Sequence, residues 1–162
     1  MNFAGIDPGI SGAASFFIEN NIVSFDTPFY YIQKSGSKRR EYDIQNMVKI
    51  FDFVKPEEYI IAIESVHSFP KEGPAGAFQF GKGFGIWLGI LATKKIPYEL
   101  ITPQAWKKEF GLIGQTKEAA IQKVQQLFPS ADLSDTKEQQ LGRSDSILIS
   151  EFIRRKYVKI RS

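Results

Sequence analysis

Two short apolar runs, each closed by a carboxylate, constrain this chain more than anything else in it. Asn2-Phe3-Ala4-Gly5-Ile6 runs into Asp7, and Tyr59-Ile60-Ile61-Ala62-Ile63 runs into Glu64. Runs of this length and composition, bounded by turn residues, read as β-strands. An acid at the end of a buried strand is costly unless something positive pairs with it. A third acid, Asp145, falls in Gly142-Arg143-Ser144-Asp145-Ser146-Ile147-Leu148-Ile149, where the pattern is that of a late helix. Two strand-end carboxylates with a third on a helix that can close over them point to a divalent-cation site.

The remaining pattern sets the order of elements. Residues 2–7, 12–18 and 21–26 read as a meander of three strands, with Gly9 and Gly12 marking the first turn and Asn20-Asn21 the second. Residues 32–41 are polar and basic and read as a mobile loop. Ile44, Met47, Val48, Phe51 and Val54 recur at helical spacing over 43–54, and Pro56 closes that helix. A strand over 59–64, a loop over 65–74, a helix over about 76–94 and a strand over 98–101 follow. Thr102-Pro103 opens a short helix through Trp106. Thr116 is placed to cap a helix of about 117–128, and a last helix spans about 137–156, weakened in its first part by Gly142. This order predicts an α/β fold, a five-stranded mixed β-sheet flanked by helices, with no linker to divide it. If the first and fourth strands are parallel neighbours, about 4.8 Å apart, Asp7 and Glu64 flank one pocket at the carboxyl ends of the central strands. Open α/β sheets usually bind their ligands there.

Composition narrows the class. A chain of 162 residues, 43% hydrophobic and 24% charged, has the make-up of one soluble globular domain over residues 1–162. The most apolar stretch, from Gly83 to Ala92, is about half a membrane span and is closed by Lys94 and Lys95. The N-terminus has no basic region before its first strand, so no signal peptide is read and a cytoplasmic location is expected. The absence of cysteine excludes disulfides and thiolate metal sites. The net charge of +3 does not by itself demand nucleic acid. Its distribution says more: Lys34, Lys38, Arg39 and Arg40 form one basic run, and residues 154–161 form another. The plainer reading of such runs is a solvated surface.

The chemistry follows from the donor types. Hard cations such as Mg²⁺ prefer carboxylate and water oxygens. Two of them about 4 Å apart can clamp the attacking and leaving oxygens of a phosphodiester in line. In that scheme Asp7 bridges two ions while Glu64 and Asp145 complete their shells. A single histidine, His67, and no cysteine argue against zinc.

Several segments together resemble the RuvC-type Holliday-junction resolvases of the RNase H-like superfamily. They are Gly5-Ile6-Asp7-Pro8-Gly9 with Gly12, Ile63-Glu64-Ser65-Val66, Thr102-Pro103, and Gly142 through Ile149, in family order and spanning nearly the whole chain. The resemblance implies an RNase H-like fold. It also implies a homodimer that binds four-way DNA junctions and nicks two opposed strands with Mg²⁺ or Mn²⁺. Asp7, Glu64 and Asp145 then become the metal-binding catalytic carboxylates. The family usually carries an Asp or His three residues before the last Asp, where this chain has Gly142. Glu138, seven residues back, lies about 10 Å away along a helix and is a poor substitute unless the helix breaks at Gly142. Asp132 and Asp135 are other possible donors.

Further residues take roles from the same resemblance, each with a plainer reading beside it. Lys117 is similar to a family lysine near the scissile phosphate, or is an ordinary first-turn surface lysine. Phe69 lies in the loop after Glu64, where the family inserts an aromatic at the junction centre; it could equally pack on its own domain. His67 is a surface or phosphate-contacting residue rather than a ligand. Gly81, Gly85 and Gly89 form a stripe on one helix, seating the same helix of a second subunit or packing on the chain's own sheet. Phe78, Phe84, Trp87 and Leu88 are core or dimer contacts. Lys82, Lys38, Arg39, Arg40 and Lys107 are candidate phosphate contacts, which position DNA without reading bases. Trp106 is expected in the core.

Three other functions fit parts of the pattern. A related RNase H-like nuclease would act on RNA or RNA–DNA hybrid. A junction-binding protein that does not cleave would account for Gly142. An actin-like kinase shares a superficial likeness at residues 5–9, but 162 residues leave no room for the second domain such kinases need.

Overall fold

The computed structural model of the chain describes residues 1–19, 21–65 and 73–161. Strands β1 (Asn2–Ile6), β2 (Ala13–Ile18) and β3 (Asn21–Asp26) form the expected antiparallel meander. A hairpin, β4 (Phe29–Lys34) and β5 (Ser37–Tyr42), comes next, then helix α1 (Ile44–Lys49) and strand β6 (Tyr59–Glu64). The chain continues through α2 (Pro74–Thr93), β7 (Tyr98–Ile101), α3 (Pro103–Glu109), α4 (Glu118–Leu127) and α5 (Lys137–Arg161). Among the described residues, five strands make one mixed sheet in the order β3-β2-β1-β6-β7. β6 runs parallel to both β1 and β7. Ile6 pairs with Ile63, so Asp7 and Glu64 are the next residues out at the same end of adjacent strands.

Apolar clusters cover both faces of the sheet, which explains why its central strands read as unbroken hydrophobic runs. On one face Ile6, Phe16, Ile61 and Ile63 pack with Met47, Phe51, Trp87 and Leu91 from α1, α2 and the turn between them. On the other, Phe3, Ala62 and Ile101 pack with Trp106, Ile121, Val124, Ile147 and Ile149 from α3, α4 and α5. Small residues let α5 settle directly on β1. A Cβ at Gly5 would stand 2.3 Å from the Ser146 carbonyl oxygen and 2.3 Å from the Ser150 nitrogen. The hydroxyl of Ser146, 2.6 Å from that of Ser15, ties the helix to β2.

Four sequence expectations need correction. Residues 32–41 are not a loop but most of an ordered two-stranded hairpin, with Phe29 opposite Tyr42 and Lys34 opposite Ser37. Ser35 and Gly36 both have positive φ (51° and 77°), the requirement of a tight two-residue hairpin turn. The basic composition of the run obscured the strand propensity of Tyr30-Tyr31-Ile32. Helix α1 ends near Lys49 rather than 54. Hydrogen bonds from Phe51 to Val48 and from Val54 to Phe51 continue as tight three-residue turns that keep both side chains buried. Thr116 does not cap α4 through its side chain; the cap position is Lys117, which makes no side-chain cap bond. Gly142 does not weaken α5 but is required there, since a Cβ would lie 2.2 Å from the Ser11 carbonyl oxygen.

Candidate active site

The β1–β2 turn builds one wall of the site. The Asp7 amide donates to the Ala13 carbonyl (3.0 Å), and the Gly9 amide approaches Asp7 Oδ1 at 3.4 Å. Gly12 folds so closely beneath that a Cβ there would meet the Asp7 carbonyl oxygen at 2.2 Å and its carboxyl carbon at 2.9 Å. Ser11 and Gly12 in turn form the surface on which α5 rests at Gly142, which holds Asp145 over the end of β1. Asp7, Asp145, Lys107, Lys117, Glu138 and Gly142 line one cavity of about 770 Å³. Glu64 stands beside it, with its Oε2 accepting from the indole Nε1 of the fully buried Trp106 at 2.6 Å.

The three carboxylates share one electrostatic environment. Burial, and then the charge of Glu64, push Asp7 up to about 7; the Gly9 amide and Lys107 oppose this. Burial raises Glu64, against the Trp106 hydrogen bond and Lys107. Asp145 lies well above the usual carboxylate range through burial and the charges of Asp7 and Glu64, with Lys107 and Lys117 opposing. The Asp7 charge also reaches Tyr42 at the foot of the hairpin, whose phenol burial and that charge push up to about 12. The site therefore concentrates negative charge that nearby lysines offset only through space. Such uncompensated burial is a recurrent mark of functional sites.

All three side chains offer hard oxygen donors, the type that Mg²⁺ and Mn²⁺ prefer. Among the described residues, no group of three His, Cys, Asp or Glu side chains stands close enough to hold one metal ion. Asp7 and Asp145 open into the cavity, while Glu64 is held back by Trp106. The residues fit a hard cation by donor type and unbalanced charge, and Glu64 would need to turn from the indole to join the other two.

The other sequence candidates separate by location. Lys117 lies at the cavity, exposed. Lys107, expected as a DNA backbone contact, lies in the same cavity and acts on all three carboxylates. Asp132 turns to Arg143 (3.1 Å), which also grips Asp26 through Nε and Nη2 at 2.8 Å each. Asp135 is exposed. Glu138 reaches the cavity although α5 does not break at Gly142, and there it accepts from Ser11 Oγ (2.5 Å) and Arg40 Nη1 (2.9 Å). Lys82 is paired with Glu41 at 2.5 Å. Lys38 and Arg39 are exposed on the hairpin, with the Lys38 ammonium 4.2 Å from the Tyr31 ring centroid. Phe69 and His67 lie outside the described residues. Gly81, Gly85 and Gly89 are exposed, and nothing lies within 4 Å of a Cβ built on any of them, so the stripe does not pack on the chain's own sheet. Gly83 is the helical glycine that does pack closely, under the Tyr42 hydroxyl. Sequence reasoning missed Trp106 as a partner of Glu64; its only signal was a tryptophan four residues after Thr102 at the end of a neighbouring parallel strand.

A mixed sheet with an antiparallel meander on one side, parallel strands on the other and helices over both faces is an RNase H-like fold, here with acids at the ends of two adjacent strands. No family model matches the sequence, and no curated protein matches it. Among the solved structures that share the fold are two of RuvC. One is a T. thermophilus RuvC in complex with a Holliday junction substrate, with a TM-score of 0.62 at 14% identity over 96% of both chains. The other is a Thermus thermophilus RuvC structure, with a TM-score of 0.59 at 15% identity over 96% of both chains.

Proposed function

We propose that this protein is a structure-selective DNA endonuclease that resolves four-way junctions by metal-dependent, paired nicking of opposed strands. The observation that carries the proposal is the set of Asp7, Glu64 and Asp145, mutually repelling carboxylates gathered at the carboxyl end of the sheet. The fold shared with a RuvC that is complexed with a Holliday junction supports the choice of substrate. Asp7, Glu64 and Asp145 would hold two Mg²⁺ or Mn²⁺ ions, which when bound activate the attacking water and neutralise the departing oxyanion. Lys107 and Lys117 draw the phosphodiester into the cavity and offset the charge that develops on it. Trp106 holds Glu64 at the edge of the cavity until it turns to join the other two acids. Lys38, Arg39, Arg40 and Lys82 steer the DNA arms, and Phe69 enters at the branch point. The open face of Gly81, Gly85 and Gly89 seats the same helix of a second subunit, so that two cavities meet one junction.

The test is cleavage of a labelled synthetic four-way junction with Mg²⁺, Mn²⁺ or EDTA, beside linear duplex and RNA–DNA hybrid. Paired, metal-dependent nicks in opposed strands are expected. Preferential cutting of the hybrid would replace the junction with a different substrate for the same site. One observation favours a second reading, a branched-DNA-binding protein that does not cleave: no three donors lie within reach of one ion among the described residues, and Gly142 admits no side chain. Tight junction binding with no cuts in either metal would select that reading.

A further inference from the structure

The β4–β5 hairpin lies outside the five-stranded sheet and carries an unusual surface. Phe29, Tyr30 and Tyr31 are successive residues of β4, 38%, 49% and 56% exposed. Solitary apolar side chains on a surface need no explanation, but three successive exposed aromatic residues on one strand of a two-stranded hairpin do. The hairpin also carries Lys34, Lys38, Arg39 and Arg40 against a single acid, Glu41, which Lys82 already occupies. Strand alternation puts Phe29 and Tyr31 on one face, where their rings meet edge to face with centroids 5.5 Å apart. Two cations frame that face. Lys38 lies over Tyr31 at 4.2 Å and Arg40 over Phe29 at 5.2 Å.

Residues of β5 tie the hairpin to the body. The Tyr42 hydroxyl donates to the Gln79 carbonyl (3.2 Å), and Lys82 pairs with Glu41. Arg40 continues to Glu138 at the rim of the carboxylate cavity. The aromatic face is thus continuous with the candidate active site.

We propose that this hairpin is a grip for DNA at a strand exchange point: Phe29 and Tyr31 stack on bases exposed there while Lys38 and Arg40, on the same face, hold the flanking phosphates. The inference rests on the nuclease reading and adds to it the part of the substrate that is recognised. Charge complementarity selects nucleic acid as the occupant. The rings select its branch point, because a continuous duplex hides the faces of its bases and a branch, nick or unpaired end exposes them.

The test uses the full chain in EDTA, so that binding is read without cutting. The probes are a four-way junction carrying 2-aminopurine beside the branch and a linear duplex of the same sequence. Tyr31→Ala is expected to weaken junction binding about 10-fold, to reduce the change in 2-aminopurine fluorescence and to leave the salt dependence unaltered. Phe29→Ala should act in the same direction, and Tyr31→Phe should retain binding because the ring remains. Lys38→Gln should weaken junction and duplex alike and lower the slope of log Kd against log salt by about one. Wild-type junction affinity in both alanine variants, with melting temperatures showing them folded, overturns the grip and leaves the nuclease reading intact. Altered sedimentation of those variants with unchanged DNA affinity also overturns it, assigning the face to a second copy of the chain. Hairpin-dependent junction binding by a protein that never cuts supports the grip and removes the nuclease reading alone.

Discussion

Two neighbouring turns in the middle of helix α5 treat a buried carboxylate in opposite ways. Glu151, 2% exposed, accepts from Arg154 Nε and Nη2 at 2.6 and 3.0 Å and from Arg155 Nε at 2.7 Å. Six residues earlier, about 9 Å along the same helix, Asp145 faces two more acids, with lysines acting only through space. Glu151 is neutralised by arginines one turn away, the conventional solution for a buried charge. Among the described residues, nothing equivalent stands beside Asp145. The contrast marks the place where the fold buries acids without an arginine to pair with them among those residues.

The largest expected effect breaks the proposed function at its centre. Asp7→Asn and Asp145→Asn should each lower junction cleavage by on the order of 10³-fold while junction binding persists, read by single-turnover cleavage and anisotropy. Because each variant removes a repelling buried charge, each should also melt at a higher temperature in metal-free buffer. Wild-type cleavage in either would remove that residue from the site.

The next effect tests the seat of the helix. A Cβ at Gly142 meets the backbone of Ser11 at 2.2 Å, and backbone cannot step aside as a flexible side chain can. Gly142→Ala should cost about 1–3 kcal/mol in chemical denaturation and lift Asp145 away from β1. Gly142→Asp should destabilise at least as much and restore no ligand. A stable, more active Gly142→Asp would show that α5 has room at its N-terminal end that the structure denies it.

Smaller again, and opposite in sign to Asp145→Asn, is Glu151→Gln. It should destabilise the protein by about 1–2 kcal/mol, a figure held down by the solvent exposure of Arg154 and Arg155. Denaturation of the two variants side by side measures the comparison directly. If both shift the same way, the two buried carboxylates of the helix do not differ in the manner described.

How far this arrangement was legible beforehand depended on the range of the interactions. Asp7 and Glu64 announced themselves because each interrupts an apolar run, a signal contained within six residues. Asp145 stood out because its motif lies in a periodic helix. The order of elements outside the hairpin followed from the alternation of short apolar runs with helical ones, while the order of strands within the sheet had been only a conditional expectation. The link from Trp106 to Glu64 was hidden, since an indole N–H finds its partner only when α3 packs beside β6. Glu138 was hidden too: counting along the helix axis placed it too far from Asp145, yet its side chain crosses to Ser11 on the β1–β2 turn. The hairpin was lost because its basic residues fill the stretch 34–40, while the aromatic ones that give it strand character lie towards its two ends.

The last expectation turns the comparison into a pH profile. Asp7, Glu64 and Asp145 bind protons more tightly in the folded protein than in the unfolded chain, Asp7 up to about 7 against an ordinary 3.8. The folded state therefore holds the extra protons, and stability from this cluster is complete at low pH and declines as pH rises from about 4 through 7. Glu138 is shifted the other way by the Ser11 hydroxyl and Arg40, and Asp132 by the Ser134 amide and Arg143, so their contribution is present above the ordinary carboxylate range and fades only in acid. Between pH 5 and 8 the cluster governs, and the metal-free protein should lose roughly 3 kcal/mol, on the order of ten degrees in melting temperature. Asp7→Asn should flatten that decline. Millimolar Mg²⁺ should raise the melting temperature more at pH 8 than at pH 5, because ionised carboxylates bind a cation and protonated ones do not. A profile that rises steadily from pH 5 to 8 in metal-free buffer would mean that the three acids are already neutralised within the fold, as Glu151 is.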